Sequence, residues 1–491
     1  MTNENKKLIT RNFIMLAILL ATFMTSVETT IIMTGLPTIV SQLHGISLQS
    51  WIFATYLLLT ALTTPIYGKF ADRIGRKPVF LTGLILFSTG SLLCGLSNNI
   101  IMLVLFRALQ GMGAGAIMPI TFTMIADLFD YQKRSTMLAL NNTAWGVSAL
   151  LGPLLGGYIV DKLNWHWVFF INVPIGILVI VIISLKYKEE KKVPEKKPID
   201  FKGIFSLSGF LVSLLILFQI LGNSEISLIK TTIIVGLTFI FGFFFWKVET
   251  KVYDPIIPLS LLHNSLFSIQ VTTALLLSAI QIGFQTYFPM WLQAIYKSTA
   301  TVAGLSVTLS PVFWLISSFF VGKIVKRWAP KYVAICLIVI MAIAYLPLIF
   351  VDSNVTKNIF FIISAVSGIT LGIVITMNTL IAQRVVPEES LGTASAMITL
   401  GRTLGQTLAA GIFGLAFNVS LNSGIKKYNF INRNLINQSI SGTHHLDVIV
   451  HRDALNEVIL TSMHTVFGMV LLLFAIVLLI NVLDKNKSVV K

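Results

Sequence analysis

Glu28 sits well inside an apolar run, residues 12–34, whose length suits a membrane crossing, and among the 20 acidic residues of the chain it alone is so placed. An ionised, unpaired carboxylate in hydrocarbon costs several kcal/mol, so its protonated form comes within reach and the side chain can take up and release a proton. Arg107 lies inside another apolar run and supplies a fixed cation. At ~1.5 Å per residue, Glu28 stands ~24 Å from the start of its run at Asn12, and Arg107 descends ~12 Å from the opposite surface, so the two reach comparable depth. Proton or cation handling is one reading of the pair. A permanent structural strut is the other.

Those two residues need a membrane scaffold, and the composition provides one. The chain has 491 residues, 55% hydrophobic and only 11% charged, too apolar for a soluble globule. Fourteen spans can be read, including 12–34, 50–68, 79–97, 100–126, 137–160 and 166–185 in the first part and 266–290, 302–322, 332–350, 358–381, 394–417 and 458–482 in the last. The net charge of +16 would suggest a nucleic-acid partner in a soluble protein. Here the cations crowd into loops on the side of the N-terminus, so no nucleic acid is expected and both termini are expected to be cytoplasmic. The run after Lys6, Lys7 and Arg11 carries Glu28 and no small-residue cleavage site, and reads as the first span rather than a signal peptide. Cys94 and Cys336 both fall in apolar segments, which gives no framework for a disulfide or a zinc site.

Between the second and third spans lies a densely charged turn, Gly68 to Pro78, reading G-K-F-A-D-R-I-G-R-K-P. It returns in degraded form at Gly322 to Lys331, with Lys326 where the first copy has Asp72. Two related halves follow from this repeat. The copies lie about 250 residues apart, whereas six spans with short loops need about 200, so the surplus accommodates two added helices. The expected organisation is a six-helix bundle over 1–185, a basic linker 186–202 rich in Lys and Pro, two added helices over 203–247, a connector 248–265, a second six-helix bundle over 266–482 with a long outer loop 418–457, and a tail 483–491. The linker is a solvated connector that can also touch anionic lipid headgroups.

The turn at Gly68 to Lys77 resembles the cytoplasmic signature of the major facilitator superfamily. Four further stretches are similar to its fourteen-helix drug:proton antiporter branch: E-T-T-I-I-M-T-G-L-P from Glu28, R-A-L-Q-G-M-G-A-G from Arg107, G-V-S-A-L-L-G-P-L-L-G-G from Gly146, and W-H-W-V-F-F-I-N-V-P-I-G from Trp165. The resemblance implies an all-α integral membrane protein with the major facilitator fold: two six-helix halves, two additional helices between them and 14 transmembrane helices. It also implies proton coupling at Glu28 and Arg107, a conformational gate at Gly68, Asp72, Arg73, Gly75 and Arg76, and an antiporter helix carrying Gly146, Gly152, Pro153, Gly156 and Gly157. Taken alone, those small residues are better explained by close helix packing. The branch usually has Asp followed five residues later by Asn; this chain has Glu28 and Met33. Ser148 likewise replaces an expected glycine.

Candidates for a substrate cavity are Asn141, Asn142 and Trp145 on the fifth span, Gln281, Phe284, Gln285, Tyr287 and Phe288 on the ninth, and Asn378 on the twelfth. Aromatic faces beside neutral hydrogen-bonding groups suit amphipathic, often cationic ligands, and for the asparagines interhelical bonding is an equal alternative. Trp291 reads as an interfacial anchor. Arg402 lacks an evident acid partner in the membrane, which leaves backbone capping or a substrate anion open. His444, His445 and His451 read as solvated loop residues, with no metal site. No phosphate-binding loop motif occurs, so no cofactor is expected and the proton gradient is the expected energy source. The expectation is a monomeric, proton-coupled efflux antiporter for amphipathic or cationic small molecules in a bacterial cell membrane, in contact with lipids. A dedicated exporter of one metabolite, lipid or antibiotic, or a nontransporting receptor or assembly factor on the same scaffold, are the alternatives.

Overall fold

The computed structural model describes residues 3–129, 131–189, 200–222, 227–252, 255, 259–352, 355–386, 391–428, 430–440 and 452–484. Among them every regular element is helical. The long helices are α1 (Asn3–Gln42), α2 (Gln49–Ile74), α3 (Arg76–Gly95), α4 (Ile100–Leu128), α5 (Tyr131–Lys162), α6 (Asn172–Lys186), α7 (Phe201–Leu221), α8 (Leu228–Glu249), α9 (Ser265–Ala294), α10 (Ala300–Ser318), α11 (Pro330–Tyr345), α12 (Asn358–Arg384), α13 (Leu391–Lys427) and α14 (Arg452–Val482). Among the described residues 13 helices are long and apolar enough to cross a membrane. The remaining long helix, α5, has 32 residues and covers the span read as 137–160.

Many helices run beyond the edges set by hydropathy, because a helix stops where its backbone is capped rather than where its apolar run ends. The span read as 12–34 belongs to a helix of 40 residues. The caps themselves are local: the Asn99 side chain accepts from the backbone N–H of Met102 at the start of α4, Asn264 from Leu266 and Phe267 at α9, and Thr299 from Val302 at α10. Of the segment 418–457, α13 continues to Lys427 and a short helix occupies Arg433–Ile440, so its described part is largely helical. Residues 441–451, with His444, His445 and His451, lie outside the described residues, as do 190–199 of the basic linker and 485–491 of the tail.

The chain divides into two compact units, one of residues 1–35 and 55–199, the other of residues 36–54 and 200–491. In the first, the glycines of α4 serve two neighbours at once. A Cβ at Gly111 would strike the Tyr56 backbone and one at Gly115 the Thr60 and Thr63 turn of α2, whereas Gly113 presses on Phe87 and Gly83 of α3. Alternate glycines therefore face opposite sides, and α4, which carries Arg107, is held between α2 and α3. On α5, Gly152 and Gly156 meet Thr30, Ile31 and Thr34 of α1, one turn beyond Glu28.

The second unit repeats the device. Gly401 and Gly405 of α13 lie on Val271 and Leu275 of α9, and Gly368 and Gly372 of α12 lie on Ser310 and Trp314 of α10. Phe288 and Trp291 of α9, Tyr345, Phe360, and Phe467 of α14 form an aromatic core. Trp291 is fully buried there, which corrects its reading as an interfacial anchor: neighbouring aromatic rings, not headgroups, surround it. Residues 36–54 are fastened within this unit. Ser41 Oγ donates to the Asn437 carbonyl at 2.7 Å, Asn418 Nδ2 to the Ser47 carbonyl at 3.0 Å, and Trp51 Nε1 to Gln219 Oε1 at 2.8 Å. The added helices α7 and α8 pack on each other through Gly209 against Phe241 and Gly242 against Phe210.

Candidate functional site

Glu28 and Arg107 meet inside the first unit. Arg107 Nη1 donates to Glu28 Oε1 at 2.5 Å, and both side chains are fully buried. The second carboxylate oxygen is occupied as well, since Asn172 Nδ2 donates to Glu28 Oε2 at 2.5 Å. Arg107 Nη1 also reaches Gln110 Oε1 at 2.7 Å, and Gln110 Nε2 donates to Ser91 Oγ at 2.6 Å. The Tyr56 ring lies 4.2 Å from the guanidinium carbon, a cation–π contact. Five helices, α1, α2, α3, α4 and α6, thus converge on one carboxylate and one guanidinium with water excluded.

The chemistry open to such a site follows from its wiring. A dry ion pair is held only while both partners are charged and hydrogen-bonded. Adding a proton to Glu28 removes its negative charge and leaves the Arg107 cation uncompensated, so protonation and rearrangement are linked by electrostatics. Asn172, Gln110, Ser91 and Tyr56 were not singled out by sequence reasoning. Asn172 and Gln110 stood within quoted stretches, and Gln110 lies one turn from Arg107, a spacing that could have drawn attention to it.

At the charged turn, Gly75 adopts φ +99, a left-handed region that favours glycine, and a Cβ there would strike the Glu189 carboxylate. Glu189 accepts from the backbone N–H groups of Arg76 and Lys77, at 2.5 and 3.1 Å, capping α3. In return, Lys77 Nζ donates to the carbonyls of Ser184 and Tyr187 at 2.8 and 2.7 Å, at the end of α6. Arg76 pairs with Asp127 at the end of α4. Around Gly68 a Cβ would meet nothing within 4 Å among the described residues. The side chains of Asp72, Arg73 and Lys326 lie outside the described residues, as do those of Asn142 and Trp145.

A family model of the Major Facilitator Superfamily matches residues 18–410, most of the chain. The chain belongs to that superfamily. Among curated relatives of this facilitator, Multidrug transporter protein MdtP of Bacillus subtilis (strain 168) is 32% identical over 83% of this chain and 75% of its own length. Multidrug resistance protein 3 of the same organism is 33% identical over 84% of this chain and 81% of its own. Multidrug efflux pump SdrM of Staphylococcus aureus (strain N315) is 29% identical over 84% of this chain and 90% of its own. In fold, this facilitator is similar to a bacterial homologue of the human lysosomal transporter Spinster, solved inward-facing and occupied, with TM-score 0.69 and 15% identity over 97% of each chain. It is a multi-pass membrane transporter rather than an enzyme.

The remaining sequence candidates of this facilitator occupy varied surroundings. Thr22 Oγ1 donates to Asn141 Oδ1 at 2.8 Å, joining α1 to α5, and Asn378 Nδ2 donates to the Gln270 carbonyl at 3.4 Å, joining α12 to α9. Phe284 packs on Phe288 in the aromatic core, and Tyr287 packs on Phe417. Gln285 is buried, and Gln281 Oε1 is buried without a hydrogen-bond partner among the described residues. Gly146, Gly152, Pro153, Gly156 and Gly157 all lie on α5, which runs unbroken through Pro153. Cys94 is buried and Cys336 exposed, both as free thiols. Among the described residues no cluster of His, Cys, Asp and Glu is arranged to hold a metal.

Proposed function

We propose that this transporter is a proton-coupled antiporter that exports amphipathic, often cationic compounds by alternating access, with both termini in the cytoplasm. The observation that carries the reading is the dry network of Glu28, Arg107 and Asn172. The multidrug transporter, multidrug resistance protein and multidrug efflux pump to which the chain is similar over most of its length support export of drugs.

In this reading Glu28 is the proton carrier and Arg107 the sensor of its charge. When Glu28 is ionised, the pair is neutral overall and its burial is tolerable. When Glu28 takes a proton, the guanidinium is left charged without its counterion at a cost of several kcal/mol, which favours another arrangement of the helices. A cationic substrate and the proton then need only exclude one another, so that each crosses in a different state. Asn172 holds the carboxylate in the orientation that accepts from Arg107. Gly152 and Gly156 let α5 lie against α1 beside the carrier, and the turn at Gly75, Arg76 and Lys77 ties the ends of α3, α4 and α6 together. The two halves are six-helix bundles related by the repeated charged turn, with the helices of 203–247 added between them.

Energised inverted vesicles carrying the full chain test this. Uptake of a lipophilic cationic dye that is abolished by an uncoupler and by Glu28→Gln is the expected result. Uptake insensitive to both would exclude the reading.

A further inference from the structure

Arg402, like Arg107, lies inside the apolar part of a membrane helix, and its surroundings differ from those of Arg107. It stands five residues after the start of the apolar span Met397–Lys427 of α13, ~8 Å into the ~30 Å apolar layer. Among the described residues no carboxylate forms an ion pair with it. Its hydrogen-bond contact is Nε to Ser278 Oγ at 3.4 Å, a long bond, and its guanidinium carbon lies 5.4 Å from the centroid of the Trp314 ring. One turn from Ser278 on the same face of α9, Gln281 keeps a buried carbonyl oxygen with no partner among the described residues. The packing holds these groups in place. Gly405 presses α13 on the Leu275 backbone of α9, and Gly372 presses α12 on the Trp314 backbone of α10.

A cation at this depth costs several kcal/mol unless something neutralises it, and a guanidinium whose two Nη groups meet no acceptor among the described residues offers the planar fork that a carboxylate fits with two parallel bonds. Trp314 adds an aromatic face beside that fork, and Gln281 adds an acceptor for a ligand N–H or O–H. Together they describe an anionic head on an aromatic body. Resting on the efflux reading and sharpening its substrate class, we propose that Arg402, Ser278, Trp314 and Gln281 form a subsite for the carboxylate of aromatic zwitterionic or anionic substrates. Glu28 and Arg107 take no part in it. Arg402 recognises the substrate directly.

The test uses a matched pair of dyes, rhodamine B, which carries a free carboxylate, and its ethyl ester, which does not. Equilibrium binding to the purified full chain and transport into proteoliposomes are measured for both, and the readout is the ratio of affinities, rhodamine B over ester. Arg402→Gln should lower that ratio by about tenfold or more, the loss expected of a charged, two-point hydrogen bond. Arg402→Lys keeps the buried charge and so protects against misfolding, but loses the fork; it should lower the ratio by about threefold. A ratio unchanged in both variants overturns the subsite, because Arg402 then serves packing or capping alone. Export of the ester without rhodamine B by the wild-type chain also removes the subsite while leaving the efflux reading intact. Export of neither dye removes the efflux reading and this proposal with it.

Discussion

The Glu28 carboxylate and the Arg107 guanidinium, 79 positions apart in the chain, meet at 2.5 Å with neither side chain open to solvent. That contact makes the two residues interdependent. Arg107→Met strands a buried carboxylate and should cost about 3–5 kcal/mol of stability, read as thermal unfolding in detergent. Glu28→Gln keeps a carbonyl oxygen to accept from Arg107, so folding and insertion persist while coupled efflux is lost. The double variant Glu28→Gln, Arg107→Met should recover most of the stability lost by Arg107→Met and none of the transport. Additive losses would mean that the pair is not a coupled unit.

Asn172 is the other partner of the same carboxylate. Asn172→Leu removes the donor to Oε2 without filling its role and should cost about 1–3 kcal/mol of stability, with efflux reduced about tenfold. Asn172→Gln, which keeps the amide, should retain part of the activity. Wild-type flux in Asn172→Leu would detach Asn172 from the mechanism.

Close helix contact beside the carrier is equally exposed to test. A side chain at Gly152 would overlap the Thr30 hydroxyl of α1, and the obstacle is part of a packed helix rather than a flexible tip. Gly152→Val should therefore abolish efflux and lower the unfolding temperature, whereas Gly68→Ala, which meets nothing within 4 Å, should leave stability within about 0.5 kcal/mol. Equal tolerance at both sites would argue against α1–α5 contact.

The sequence made some of this legible and hid the rest for physical reasons. An acid inside an apolar run stands out because hydrocarbon penalises it, and so Glu28 and Arg107 could be singled out without a structure. Asn172 could not, because a neutral amide carries little penalty and its role depends on α6 crossing α1 next to Glu28. The ends of α1 and α13 were misjudged in the same way: hydropathy marks the lipid boundary, while the helices continue to their own caps. At the charged turn, the reciprocal capping by Lys77 and Glu189 was invisible because Glu189 belongs to a lysine-rich stretch that reads as solvated linker. Trp291 shows the opposite error: an aromatic near the end of a span was assigned to the interface, yet it fills a core of aromatic side chains.

Lys297 offers a test of orientation and of local electrostatics together. It lies between α9 and α10 in a left-handed conformation, φ 50, and its Nζ donates to the Ser439 carbonyl at 2.6 Å. Burial, with repulsion from Arg452, lowers it to about 8. A lowered value means that the free amine accumulates as pH rises through 8, about two units before an ordinary lysine. A membrane-impermeant acylating reagent added outside cells should label Lys297 with a midpoint near pH 8 and leave Lys77 unlabelled, as mass spectrometry of peptides would report. Labelling of Lys77 alone would reverse the proposed topology.

Coupling is tested most directly in proteoliposomes loaded with a pH-sensitive dye and held acidic inside. Adding a lipophilic cation outside should raise the internal pH in step with uptake of that cation, as protons leave in exchange, and Glu28→Gln should show neither change. Uptake of the cation with no change in internal pH, or an unaltered proton flux in Glu28→Gln, would contradict the account.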